Sequence, residues 1–152
     1  MLRNKGKKYI STPMKIYFVD PGLRNARLGF RQIEETHLME NIIYNELRRR
    51  GYSVDVGLIE LRESDERRKR VRKQLEVDFI AYKGNNKYYI QSAFALPDEE
   101  KKRQEERPLL KIDDSFKKIV VVGSHTKLKR DYRGITTIGI REFLMKENSL
   151  DL

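Results

Sequence analysis

Cysteine is absent from the 152 residues, which excludes disulfides and thiolate metal sites and fits a reducing compartment. No segment approaches the roughly 20 continuous apolar residues of a membrane span, and the first residues lack the apolar stretch of a secretory signal. The expectation is therefore a soluble, cytoplasmic protein with no membrane partner. No Gly-x-x-x-x-Gly-Lys-Ser/Thr run occurs, so the chain has no phosphate loop for ATP. Histidine is scarce, with only His37 and His125. His125 follows a strand in a loop beside Ser124 with no third group at a suitable spacing, which argues against a nucleophilic triad. His37, near Glu40, reads as a packed, hydrogen-bonded residue rather than a ligand. Between Phe30 and Arg50 there is neither proline nor glycine, and the run stops at Gly51, which predicts one long helix with a C-terminal glycine.

Charge is abundant instead. Lysine and arginine number 33 against 23 acidic residues, a formal charge of +10, and charged residues make up 37% of the chain. Such a field draws polyanions and leaves a wet surface around one core. The densest basic run holds Arg62, Arg67, Arg68, Lys69, Arg70, Arg72 and Lys73. Lys127, Lys129, Arg130 and Arg133 form a second group. These are the candidate phosphate-contacting residues, against the reading of a solvated charged loop interleaved with Glu63, Asp65 and Glu66. Tyr82, Tyr88 and Tyr89 could stack on bases, although strand tyrosines are more often core or rim residues.

Residues 1–14 read as a basic N-terminal segment, and 15–152 as one domain. Met14 to Val19 predicts a strand ended by Asp20-Pro21-Gly22. On the long helix Ile33, Glu40, Ile43, Tyr44 and Leu47 gather on one face and Leu38, Met39 and Ile42 on another, so an acid, Glu40, sits within an apolar face. Strands are expected at Tyr52–Ile59, Leu75–Tyr82, Lys87–Phe94, Lys118–Val122 and Ile135–Ile138. The second and third are joined by a Lys83-Gly84-Asn85-Asn86 hairpin turn. The charged stretch Glu60–Gln74 is open between a mobile hairpin, a strand extension and a short helix. Helices are expected at Glu99–Arg107, continuing unevenly past Pro108, and at Ile140–Lys146. This order predicts an α/β domain in two or three layers.

Glu40 and Asp78 carry the chemical interest. A carboxylate buried among apolar groups is costly unless it is paired, protonated or bound to a cation, and a hard cation such as Mg²⁺ or Mn²⁺ would relieve two that converge. In phosphodiester hydrolysis such a metal organises the attacking water while a nearby lysine aids the charged transition state. The competing reading gives Glu40 a backbone or arginine partner and Asp78 a surface salt bridge.

A helix acid, a strand aspartate and a following strand carrying Gln91-Ser92-Ala93 are where the sequence resembles the PD-(D/E)XK, or restriction-endonuclease-like, superfamily. More closely it resembles the C-terminal domain of unknown function of prokaryotic AAA+ family ATPases. The resemblance runs from about Lys15 to Leu144. It rests on Lys15-Ile16-Tyr17-Phe18-Val19-Asp20-Pro21-Gly22-Leu23, Glu40-Asn41, Tyr44-Asn45-Glu46-Leu47, Arg50-Gly51-Tyr52, Glu76-Val77-Asp78-Phe79, Tyr89-Ile90-Gln91 and Lys117-Lys118-Ile119-Val120. It implies a restriction-endonuclease-like fold with a central mixed sheet flanked by helices. It also implies a fragment of a longer ATPase, whose ATPase and winged-helix domains would be partners in the same polypeptide.

By that resemblance Glu40 matches the helix acid, Asp78 the metal-binding aspartate, Gln91 the second acid and Ala93 the lysine. Glu40, Asp78 and Gln91 are thus vestigial catalytic and metal-binding candidates. Gln91 can still offer a carbonyl but no charge, and Ala93 offers nothing. Lys83 and Lys87 are the nearest candidates for a migrated lysine, with Lys87 about 13 Å from Gln91 by strand rise. Three functions follow: a noncatalytic accessory domain contacting DNA or a partner protein, which needs no cofactor; a weak Mg²⁺- or Mn²⁺-dependent deoxyribonuclease; or a protein-interaction domain using Leu109, Leu110 and Ile112 or Phe143-Leu144.

Overall fold

A computed structural model describes residues 15–31, 34–64 and 70–152, with backbone alone over 61–64 and 70–73. The basic segment 1–14, Ile33, Arg67, Arg68 and Lys69 lie outside the described residues. Lys15 to Asp20 forms no strand, contrary to expectation. Its backbone is held by side chains instead: Phe18 N–H donates to Asn41 Oδ1 at 2.8 Å, and Asn41 Nδ2 donates to the Phe18 carbonyl at 2.7 Å. One amide supplies the donor and acceptor that a neighbouring strand would offer. Asn45 Nδ2 adds bonds to the Phe18 and Val19 carbonyls.

Asp20 then caps a short helix, α1 (Pro21–Arg27), accepting from the Gly22 and Leu23 amides with Pro21 in the first turn. The long helix, α2 (Glu35–Arg49), starts later than the sequence suggests because Gly29 and Phe30 both adopt positive φ and break the path. It ends as expected at Gly51. With φ at +81°, Gly51 lets its own amide reach the Arg48 carbonyl and the Tyr52 amide reach the Leu47 carbonyl, a Schellman closure.

Among the described residues the sheet has six strands: β1 (Ser53–Ser64), β2 (Arg70–Lys83), β3 (Asn86–Ala93), β4 (Lys117–Val122), β5 (Lys129–Arg130) and β6 (Ile135–Gly139), in spatial order β1-β2-β3-β4-β6-β5. Strands β1, β2 and β3 form an antiparallel meander. Lys83 pairs with Asn86 around Gly84, whose φ of +59° suits the tight turn. Helix α3 (Glu99–Leu110), capped by Asp98, carries the chain over to β4 parallel to β3, and β6 is parallel to β4. The described parts of the charged stretch, 60–64 and 70–74, are strand extension: β1 and β2 pair from Gly57↔Val77 out to Ser64↔Arg70, and 65–69 lie outside the described residues. Helix α4 (Ile140–Met145) follows β6 directly.

Both faces of the sheet are covered, giving three layers. Met39, Ile43 and Leu47 of α2 and Phe143 of α4 pack on Phe79, Ala81, Ile90, Ile119, Val121 and Ile138. Leu109 of α3 packs on the other face against Val77, Tyr89, Ala93, Val120, Val122 and Ile135. This explains the unbroken apolar run of β4, whose residues are buried on both sides.

Candidate functional site

The site forms where β2 leaves β3. Across β1 and β2 the register jumps from Asp55↔Ile80 to Gly57↔Val77, so Val56 alone faces Asp78 and Phe79, a β-bulge. The β2–β3 ladder runs from Lys83↔Asn86 to Phe79↔Ile90. At the next position side chains take over the pairing. Asp78 Oδ2 accepts from the Ser92 amide at 2.8 Å, and Gln91 Oε1 lies 3.5 Å from the Asp78 amide. The bulge thereby turns Asp78 towards α2, where Glu40 waits one turn into the helix.

Glu40 and Asp78 do converge, and an ammonium lies between them. Lys15 Nζ is 2.8 Å from Glu40 Oε1 and 3.1 Å from Asp78 Oδ1, and it also pairs with Glu76. Tyr17 donates to the same Glu40 oxygen at 2.6 Å. The Tyr17 ring stacks on Tyr44 with centroids 4.3 Å apart, and both rings rest on Phe79. Neither Lys15 nor Tyr17 stands out in the sequence as a site residue, since nothing local links position 15 to positions 40 and 78. A helix acid with no partner of its own nearby was the available signal.

Partial burial by itself would lower the Lys15 ammonium, but its hydrogen bonds to Glu40 and Glu76 and the charge of Asp78 outweigh that and hold it well above the ordinary lysine value. Burial and the bond to Glu40 likewise push the Tyr17 hydroxyl up. Asp78 moves towards the neutral form. Burial raises it from 3.8 to about 6, with Glu40 assisting, and the Ser92 amide and Lys15 only partly oppose this. The folded chain thus binds a proton at Asp78 more tightly than the unfolded chain, so stability falls as pH rises through the window between the two values. Relative to Asp78→Asn, the wild-type chain is expected to lose about 3 kcal/mol between roughly pH 4 and pH 7. Parallel urea melts of both chains across that range measure it; a pH-independent difference would refute it.

The remaining candidates of the nuclease pattern do not complete it. Gln91 is buried, and its Nε2 lies 3.4 Å from Glu105 Oε2 on α3. Glu105 in turn pairs with Lys101 at 2.6 Å. Ala93 is packed in the α3-side core. Ser92 Oγ, between them, has no hydrogen-bond partner among the described residues. Lys83 is spent on the Arg50 carbonyl at 2.9 Å and lies over the Tyr52 ring; Lys87 pairs with Asp114 and lies over Tyr89. Among the described residues no group of three or more histidine, aspartate and glutamate side chains is arranged to hold a metal ion. With Lys15 Nζ at the point where the two carboxylates meet, a divalent cation does not fit this arrangement.

The two basic groups are not one patch. Arg70, Arg72 and Lys73, described in backbone alone, lie on the β1–β2 ribbon at one edge of the sheet, whereas Lys129 and Arg130 form β5 at the opposite edge, with Lys127 just before it. Arg133 is taken up by Asp131 and the buried Glu106. Tyr88 and Tyr89 are buried, with their hydroxyls on Asp151 and Asp114, which leaves neither ring free to stack. His37 is exposed, not packed, with Nε2 2.9 Å from Glu34. Ser124 Oγ pairs with Thr126 and not with His125. Leu109 and Phe143 are buried in the two cores, while Leu110 and Leu144 are exposed. No described helix is long and apolar enough to cross a membrane.

Two relatives are similar to the chain, both described as uncharacterized. The chain is 34% identical to an uncharacterized protein of Haemophilus influenzae over 142 residues, covering 93% of this chain and 31% of that protein. It is 33% identical to an uncharacterized protein of Methanocaldococcus jannaschii over 90 residues, covering 59% of this chain and 18% of the relative. The chain thus spans less than a third of the length of these relatives. No protein-family model and no solved structure matches it.

Proposed function

We propose that the chain is a noncatalytic, nuclease-like accessory domain, restriction-endonuclease-like in descent and part of an AAA+ family ATPase, and that it contacts DNA. What supports this reading is the β3 sequence: by the resemblance Gln91 and Ala93, an amide and a methyl group, stand for the second carboxylate and the lysine that hydrolysis needs, Gln91 bonds to Glu105 and Ala93 packs in the α3-side core, and Lys83 and Lys87 are engaged elsewhere. Gln91 brings no charge with which to balance a metal, and Ala93 cannot stabilise charge at phosphorus. The ATPase and winged-helix domains would come from the rest of a longer polypeptide, in keeping with relatives more than three times the length of the matched region.

Contact with DNA is supported by the +10 charge and by the register of the ribbon. Positions 62, 70 and 72 share the face of Glu76, whose carboxylate reaches Lys15, so the basic positions continue the same face as the carboxylate pair. Two measurements on the 152-residue chain test the proposal. With labelled duplex DNA and Mn²⁺, cleavage is expected to be no greater than that of Asp78→Ala; metal-dependent cleavage lost in that variant would replace this reading with the weak nuclease. Duplex binding is expected to weaken steeply with salt, and Arg70→Glu with Arg72→Glu should reduce affinity tenfold or so at low salt. Absence of binding at low salt would remove DNA as the partner.

A further inference from the structure

The carboxylate pair poses a question that a damaged nuclease site leaves open: what neutralises it. An ionised carboxylate in such a place needs an opposite charge, and with two of them the need is greater. Lys15 Nζ lies within 2.8 Å of Glu40, 3.1 Å of Asp78 and in contact with Glu76, three acids from α2 and β2. Its position is not that of a wandering surface lysine. Two residues on, Tyr17 is bonded to Glu40 and stacked on Tyr44; three residues on, Phe18 is bonded at both backbone atoms by Asn41 and again by Asn45. Those contacts fix the path of residues 15–18 across the mouth of the site. Tyr17 and the Ser92 amide satisfy carboxylate oxygens that a metal with its waters would otherwise engage.

We infer that Lys15 is the resident cation of this site, occupying the position a divalent metal would take between Glu40 and Asp78, so that the folded chain binds no metal there until Lys15 is removed. The inference rests on the noncatalytic reading above and supplies a physical reason for it. A tethered ammonium gives up far less hydration than Mg²⁺ does, and folding itself positions it. Once tethered, it excludes a second cation by occupancy and by repulsion.

Thermal melts of the 152-residue chain with and without Mn²⁺ test this. The wild-type Tm is expected to move by less than about 1 °C at millimolar Mn²⁺. Lys15→Ala should melt lower in metal-free buffer, and Mn²⁺ should raise its Tm by roughly 5–10 °C at a hundredfold excess over Kd. The double variant Lys15→Ala, Asp78→Ala should lose that rise. Lys15→Gln, which keeps a hydrogen-bond donor but not the charge, should respond to Mn²⁺ as Lys15→Ala does and guards against a variant that fails to fold. A wild-type chain stabilised by Mn²⁺, or Lys15 variants indifferent to it, would overturn the inference. Cleavage assays on the same samples keep the two claims apart. A wild-type chain that cleaves DNA refutes the noncatalytic reading, whereas an inert wild type with metal-indifferent Lys15 variants refutes only the role of Lys15.

Discussion

Replacing Arg50 by alanine is expected to cost about 3–5 kcal/mol, the range for breaking a buried, hydrogen-bonded charge pair by removing one partner. The guanidinium is almost wholly enclosed, with 4% side-chain exposure. Its Nε donates to Glu46 Oε1 at 2.7 Å, one terminal nitrogen donates to Ser149 Oγ at 2.8 Å and the Glu147 carbonyl at 3.2 Å, and the other donates to the Phe143 carbonyl. It also lies over the Phe143 ring, 4.7 Å from its centre. Alanine would leave the buried Ser149 hydroxyl without its donor and the Glu46 carboxylate and Phe143 carbonyl with only Arg49 and Ser149 Oγ to serve them. Arg50→Lys should recover little, because an ammonium cannot reproduce a planar fork aimed at several acceptors at once. Urea denaturation measures the loss. Hydrogen exchange over 143–152 should rise more than exchange in β4, since Arg50 is the clasp between α2 and the C-terminal segment. A loss under 1 kcal/mol would mean that the clasp is dispensable.

Phe79→Ala should cost a comparable 3–5 kcal/mol, from lost apolar burial and the cavity left behind. Phe79 has no exposed surface and lies at the bulge, one residue from Asp78. Its ring is the floor on which Tyr17 and Tyr44 rest, at centroid distances of 5.8 and 6.4 Å. Truncation therefore has a second expected consequence. With the floor gone, the Tyr17–Glu40 bond and the seat of Lys15 should loosen, and backbone amides at 16–18 should exchange faster than in Phe79→Leu, which keeps most of the volume. Equal exchange in the two variants would show that Asn41 and Asn45 hold the segment unaided.

Much of the fold was legible in the order of residues. The glycine after Arg50, the Gly84-Asn85 turn, the apolar run of β4 and the start of α3 at Glu99 each depend on neighbours a few positions away. All four appear where the pattern placed them. Asp78 and Glu40 were legible too, as acids set among apolar residues at the wrong end of the cost scale for burial. Less was visible where a long-range partner took over. The Met14–Val19 run has the composition of a strand, yet its described residues, 15–19, use no sheet edge, and Asn41 and Asn45 instead take up the Phe18 amide and the Phe18 and Val19 carbonyls. Helix α1 depends on Asp20 as a cap, where the Asp20-Pro21-Gly22 sequence reads as the end of that strand.

An α/β chain with two acids in apolar settings, an amide and a methyl group in the following strand, and a strong positive balance can all be read from the order of residues. Periodicity, turn chemistry and side-chain type are local properties, and they needed no partner to be read. Only the tertiary structure decided that Lys15 joins Glu40 and Asp78 across 25 and 63 positions, that Lys83 and Lys87 do not, and that the two basic groups stand at opposite sheet edges. The physical reason is that an ion pair between distant residues is set by where packing carries their backbones. Here the bulge at Asp78 and the asparagine-held segment at Phe18 bring those backbones together, and neither device leaves a periodic trace.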